Sequence, residues 1–179
     1  NEALSIPELY KKATFITNNY DIEIIFLDNG SRDESWKIMQ SLEKNERIKF
    51  VKLKTNRGYG YGIKYALNFS NGKYIGWTHA DLQTDLFDII KAFELLLQNK
   101  NLKGNTKKYA IKGKRLGRKF ADMPVSNVMA VITKLIFFSN NLYEINAQPS
   151  IFDRTILDYI QKAPDDYNFD LAVFLIANS

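Results

Sequence analysis

The chain has 179 residues, 25 Lys and Arg against 20 Asp and Glu for a net charge of +5, no cysteine and a single histidine. That length suits one ordinary domain with a sizeable core, and 45% hydrophobic with 25% charged residues excludes a disordered or collagen-like chain. Zero cysteines remove disulfide frameworks, thiol catalysis and thiolate metal sites, and one histidine removes a multi-histidine zinc site.

No apolar run reaches the roughly 18 to 20 residues of a membrane span, and no signal peptide opens the chain, so a soluble, cytosolic α/β domain is expected. The chain starts on Asn1 and ends inside a helical pattern at Leu171–Ala177, which predicts an excerpt of a longer protein. Ile6–Asn18 reads as a helix with Pro7 tolerated in its first turn. Asp21–Leu27 is a short, almost continuous apolar run, as in a strand buried on both faces, and it ends in the turn cluster Asp28-Asn29-Gly30-Ser31. Asp33–Lys44 has helical spacing, Ile48–Leu53 is a second strand, and Gly62–Phe69 lies in the next helix. Lys73–Thr78 is a third strand, followed by a polar loop over His79–Asp85 and an amphipathic helix from about Leu86 to Leu97. Strand–loop–helix units at this spacing predict parallel βαβ architecture: an α/β fold with three layers, α/β/α, around a mostly parallel sheet. Further on, Tyr109–Ile111 is a candidate strand, and Asp153–Ile160 and Asn168–Ala177 are candidate helices.

Charge is local. Asn99–Phe120 carries nine cations and no acid, while the remaining 16 cations face 20 acids, so the rest of the chain is net −4. A basic segment of this kind is either a solvated loop or the partner of an anion such as a phosphate. Val125–Phe138, apolar at 10 of 14 positions, is too short to span a bilayer and reads as a core helix or an interfacial one.

In a parallel α/β sheet, ligands bind beyond the carboxyl ends of the strands. Three polar clusters stand there: Asp28 to Asp33, Asn56-Arg57-Gly58 with Gly60 and Gly62, and His79-Ala80-Asp81-Leu82-Gln83. Each has a plain reading as well. Asp28 and Asp33 suit turns and helix caps. The glycines match neither a Walker loop nor the dinucleotide fingerprint, and would equally permit close helix–sheet packing. His79, Asp81 and Gln83 alternate on one side of an extended segment, where they would hold a divalent cation or simply face solvent.

Ile24–Asp33 (IIFLDNGSRD) resembles the strand and D-D-G-S-x-D turn of family 2 glycosyltransferases. Asn56-x-Gly58 resembles that family's N-x-G segment. His79-Ala80-Asp81-Leu82-Gln83 resembles the D-A-D-L-Q metal motif of its polyprenyl-phosphate sugar transferase branch, and Lys112-Gly113-Lys114-Arg115 resembles that branch's G-S-R. The resemblance covers nearly the whole chain and implies a single GT-A domain over 1–179, with a nucleotide-binding part over about 1–98 and an acceptor side over about 99–179. It implies an inverting transfer of a sugar from a UDP- or GDP-sugar to an acceptor, with polyprenyl phosphate favoured over a sugar hydroxyl. Asp28, Asn29, Ser31, Asn56, Gly58, Ala80 and Asp81 would contact the nucleotide-sugar. His79, Asp81 and Gln83 would hold Mg²⁺ or Mn²⁺, Arg115 and Arg118 would face phosphates beside Asp81, and Asn146 and Gln148 would line the acceptor side. His79 stands where the family has Asp, which tilts the preference toward Mn²⁺, and Asn29 replaces a second Asp. Peripheral contact with the inner face of the membrane is implied, and no nucleic-acid partner. A non-catalytic nucleotide-sugar-binding domain, a nucleotidyltransferase and a nucleic-acid-binding module are the competing classes.

Overall fold

The computed structural model describes residues 2–103, 110–112 and 148–178. Helix α1 spans Ile6–Asn19 and buries Ile6, Leu9, Ala13 and Ile16, a helical stripe that faces the sheet. Strand β1 (Ile24–Asp28) and strand β2 (Ile48–Lys52) run parallel in the register Ile24↔Ile48 to Asp28↔Lys52. Between them lies α2 (Ser35–Ser41), shorter than the periodicity predicts. These elements close one core, in which Ile6, Leu9, Ile16, Phe26, Met39 and Ile48 pack with Leu86 and Ile90.

Helix α3 (Tyr59–Leu67) starts three residues earlier than its apolar pattern suggests. Gly58 precedes it at φ +114, and a Cβ there would meet the Asp165 carbonyl at 2.4 Å, so only glycine turns the chain into the helix at this point. Strand β3 (Tyr74–Trp77) leads through the polar loop to α4 (Asp88–Lys103). Strand β4 (Ala110–Lys112) agrees with the predicted strand, and β5 (Ser150–Asp153) is an element the sequence did not announce. Among the described residues the strands form the parallel pair β1-β2 and an antiparallel trio in the order β3-β5-β4, with Ile75↔Phe152 and Ile111↔Ile151 in register.

The helix expected over Asp153–Ile160 is therefore preceded by a strand. Its Asp153 carboxylate accepts from the Thr155 N–H at 3.0 Å, which starts a 3₁₀ turn (Arg154–Ile156) that continues into α5 (Leu157–Ile160). Helix α6 (Phe169–Asn178) completes the described chain. A second core joins Leu67, Ile75, Phe152, Ile156, Ile160, Phe169 and Val173. Burying such side chains contributes about 1.5–3 kcal/mol each. The basic segment from Gly113 onward and the apolar stretch Val125–Phe138 lie outside the described residues. Among the described residues, no helix is long and apolar enough to cross a membrane.

Candidate nucleotide-sugar site

Strand β1 delivers Asp28 to the carboxyl end of the sheet, where its side chain is fully buried. Oδ1 accepts from the Ser31 N–H at 2.7 Å, the turn role expected of an Asp here. Oδ2 is buried without a hydrogen bond, and Lys52 Nζ stands 4.0 Å from it. An acceptor left without a hydrogen bond in a buried position costs about 1–3 kcal/mol, so an N–H or O–H that reached this oxygen would be favoured. Lys52 itself lies over the Trp36 ring, 5.2 Å from the centroid.

The second cluster packs against the first. A Cβ on Gly30, which has φ +76, would meet the Asn56 nitrogen at 2.4 Å. Asn29 Nδ2 donates to the Gly58 carbonyl at 3.1 Å, leaving its Oδ1 buried and without a hydrogen bond. The Asn56 side chain accepts from the Gly58 N–H at 2.8 Å. The third cluster is held from the opposite side, where Ser5 Oγ donates to the Ala80 carbonyl at 2.8 Å. Together these contacts shape a cavity of ≈190 Å³ lined by Asp28, Asn29, Gly30, Ser31, Asn56 and Ala80, with Glu2, Ile6, Leu27, Ser35 and Met39 completing its wall. The lining mixes a carboxylate, amides and hydroxyls with apolar side chains, and the volume is below the roughly 300–1,000 Å³ of a drug-sized ligand pocket, so it would take only part of such a ligand.

Of the residues expected to contact a nucleotide-sugar, Asp28, Asn29, Ser31, Asn56 and Ala80 line that cavity, and Gly58 adjoins it through Asn29. Asp81 follows Ala80 and is half-buried; its Oδ1 accepts from the Gln83 N–H at 3.0 Å, with Leu82 between them at φ 60. A non-glycine residue in that region is uncommon and is held by its surroundings. Gln83 is exposed, and the His79 ring lies beside Tyr59, 5.8 Å between centroids. Gln148 is buried, its amide donating to the Tyr59 hydroxyl at 3.0 Å. Arg115, Arg118 and Asn146 lie outside the described residues. Among the described residues, no group of three or more His, Cys, Asp or Glu could hold a metal ion. A Mg²⁺-like ion that takes most of its ligands from phosphates and water needs only one or two protein oxygens, and the loop carrying Asp81 and Gln83 fits that smaller demand.

Sequence reasoning missed Tyr59, Trp77 and Asp170, a hydrogen-bonded group in which Asp170 is buried and the two rings partly so. One signal was available: Asp170 is a lone acid on the otherwise apolar run FDLAVFLIA.

The profile of the family described as "Glycosyl transferase family 2" matches residues 1–148. The chain is 31% identical over 106 residues to dolichyl-phosphate beta-glucosyltransferase of Dictyostelium discoideum, covering 54% of this chain and 32% of that protein. It is 30% identical over 111 residues to undecaprenyl-phosphate 4-deoxy-4-formamido-L-arabinose transferase of Pseudomonas savastanoi pv. phaseolicola, covering 60% and 33%. The namesake in Pseudomonas fluorescens is 33% identical over 87 residues, covering 46% and 26%. The chain thus spans about a third of the length of these curated relatives.

Proposed function

The chain belongs to glycosyl transferase family 2, whose fold is the α/β GT-A type, and on that premise we propose that it forms the donor-binding part of an enzyme transferring a sugar from a nucleotide diphosphate to a polyprenyl phosphate. The observation that carries the reading is the cavity at the end of β1, with its buried carboxylate oxygen lacking a donor. A nucleobase or ribose supplies such a donor. The named activities of the relatives, all on a dolichyl or undecaprenyl phosphate, support the acceptor class.

In the proposed reaction a phosphate oxygen of the lipid attacks the anomeric carbon from the face opposite the leaving group. The new C–O bond forms as the bond to the nucleotide diphosphate breaks, and configuration inverts. The nucleophile is already anionic, so no side chain need remove a proton. What the protein must supply is orientation and compensation of charge on the leaving diphosphate. Asp28, Asn29 and Asn56 orient the nucleoside. Asp81 and Gln83, with His79 beside them, would hold a divalent cation, Mg²⁺ or Mn²⁺, whose chemistry is to neutralise the diphosphate as it departs. Arg115 and Arg118 are the guanidinium candidates for the same phosphates, in a geometry that suits Arg better than Lys. Contact with the membrane surface that carries the acceptor would place the enzyme at the inner face of that membrane.

The test uses the full-length protein with Mn²⁺ and a panel of UDP- and GDP-sugars, and measures nucleotide release with and without polyprenyl phosphate. Release that depends on the lipid phosphate supports the reading. Nucleotide-sugar binding without turnover would reduce the protein to a binding domain. Salt-sensitive binding of RNA or DNA with no nucleotide-sugar affinity would refute it.

A further inference from the structure

Asp170 stands in the first turn of α6, 3% exposed, on a helix that is otherwise apolar. Its two oxygens serve two different elements. Oδ2 accepts from the Tyr59 hydroxyl at 3.0 Å, and Oδ1 accepts from the Trp77 indole N–H at 3.1 Å. The Tyr59 oxygen accepts in turn from Gln148 at 3.0 Å. Burial, followed by the charge of Asp170, pushes the Tyr59 phenol far above its ordinary range, so the hydroxyl stays a donor.

Tyr59 opens α3 directly after Gly58, and Trp77 ends β3 two residues before His79. Asp170 therefore grips the roots of two site loops without lining the cavity itself. The consequence reaches His79 through a ring contact. The Tyr59 ring neighbours His79, 5.8 Å away between centroids and tilted by 37°, and the exposed ring of Tyr167, 5.7 Å away and nearly parallel at 13°. Phe169 meets the same ring edge-on at 6.3 Å. The phenol oxygen lies on the long axis of the ring, so donating to one group and accepting from another fixes where that axis points and with it the ring beside His79.

We propose that Asp170 is a positioning residue: by holding Tyr59 and Trp77 it sets the place of His79 and of the loop that continues to Asp81. Its effect on catalysis rests on the reading of residues 79–83 as the diphosphate-side loop; its effect on His79 does not. The carboxylate has a chemical reason. Trp77 offers a donor only, and Tyr59 directs its donor at Asp170, so both oxygens must accept. An asparagine of the same size would turn an NH₂ toward one of them. Both oxygens are engaged at 3% exposure, and Asp170 does not line the cavity.

His79 is the chain's single histidine, so its imidazole C–H signals in a ¹H–¹³C spectrum need no assignment. These signals are compared in the native protein, Asp170→Asn, Asp170→Glu and Tyr59→Phe, all free of ligand. Asp170→Asn and Tyr59→Phe are expected to shift the His79 signals. Asp170→Glu, an acceptor on both oxygens, should lie nearer the native position despite its extra methylene, the reverse of what packing alone predicts. In the full-length enzyme, Asp170→Asn should raise the donor KM on the order of tenfold, with a smaller change in kcat. Native His79 signals in folded Asp170→Asn and Tyr59→Phe overturn the proposal. If Asp170→Asn does not fold, Tyr59→Phe decides alone, since it keeps the ring and cuts the link. Absence of sugar transfer in the native enzyme would overturn the functional reading and leave the spectroscopic result standing.

Discussion

Substituting Asp28 by Asn separates the two roles that the structure gives this residue. Asn can keep the oxygen that accepts from Ser31 at 2.7 Å, so the turn after β1 survives. It replaces the buried oxygen that lacks a hydrogen bond with an NH₂ group, and it removes the carboxylate from a position only 1% exposed. Three terms decide the free protein's stability. The hydrogen bond to Ser31 weakens from charge-assisted to neutral, which costs about 1 kcal/mol. The contact with Lys52 is at the 4.0 Å limit, and Lys52 is 40% exposed, so its loss costs less than about 1 kcal/mol. Against these stands relief of a buried negative charge, which offsets the unpartnered NH₂ that takes the place of the bare oxygen. The sum predicts a free protein within about 2 kcal/mol of the native one. Nucleotide binding changes in the opposite sense, because an acceptor for a base or ribose donor becomes a second donor. A lost hydrogen bond to a charged group, about 1.5–3 kcal/mol, corresponds to roughly 10- to 150-fold weaker affinity. Urea denaturation of the free protein and calorimetric titration with UDP and GDP measure the two quantities. A variant that loses several kcal/mol of stability while binding nucleotide as well as the native protein would refute the assignment and leave Asp28 a turn residue.

Other outcomes follow from particular contacts. Asp81→Ala should abolish sugar transfer in the full-length enzyme at a stability cost of about 0.5–1.5 kcal/mol, since it removes a half-buried loop side chain that accepts from the Gln83 N–H; retained turnover would remove Asp81 from the reaction. Glu23 carries acid sensitivity. Burial raises its carboxyl, but the N–H groups of Asn71 and Gly72 and the Lys49 ammonium outweigh this and hold it below the ordinary glutamate value of 4.5. Its contribution is thus complete above that value and is lost as pH falls through the lowered one. In denaturation between pH 7 and 3, Glu23→Gln should cost about 1–2 kcal/mol at pH 7 and flatten the acid limb. Lys64→Ala should cost about 2–4 kcal/mol in equilibrium unfolding, because the ammonium, on a side chain 12% exposed, meets Asp165 at 2.7 Å and the carbonyls of Gln161 and Ala163. In turnover assays Arg115→Lys should impair the enzyme more than Lys108→Ala; equal effects would mean that bulk charge alone matters.

The strands β1, β2 and β3 were legible because each is an apolar run closed by turn residues, and the loops that follow them bring Asp28 to Ser31, Asn56 and Ala80 to the cavity, though not His79, Asp81 or Gln83. Local signals sufficed there. β5 was not legible: Ser150-Ile151-Phe152-Asp153 holds two apolar side chains, too few to display a period, and its strand form comes from pairing with β3 and β4. α3 was placed late because Tyr59-Gly60-Tyr61-Gly62 has low helix propensity, which packing against the 164–169 segment overrides. Asp28 was equally consistent with a turn cap and a ligand contact, and one oxygen does each job only in three dimensions. The Tyr59–Trp77–Asp170 group joins positions 93 to 111 residues apart, a separation at which one sequence carries no pairing signal.

Several cations at the seams of this protein end on main-chain oxygens. Lys64 reaches the carbonyls of Gln161 and Ala163, Lys49 that of Phe69, and Arg154 that of Gly72. A carbonyl bears no net charge for counterions to cloak, whereas the exposed pairs Lys37–Glu34 and Lys91–Asp88 join two full charges in open solvent. At 1 M salt the Debye length shrinks to about 3 Å and such outlying pairs fade. Lys64 also pairs with Asp165 and Lys49 with Glu23, so brine strong enough to erase the surface attractions should weaken those pairs yet leave the carbonyl anchors, and the helices they hold, in place.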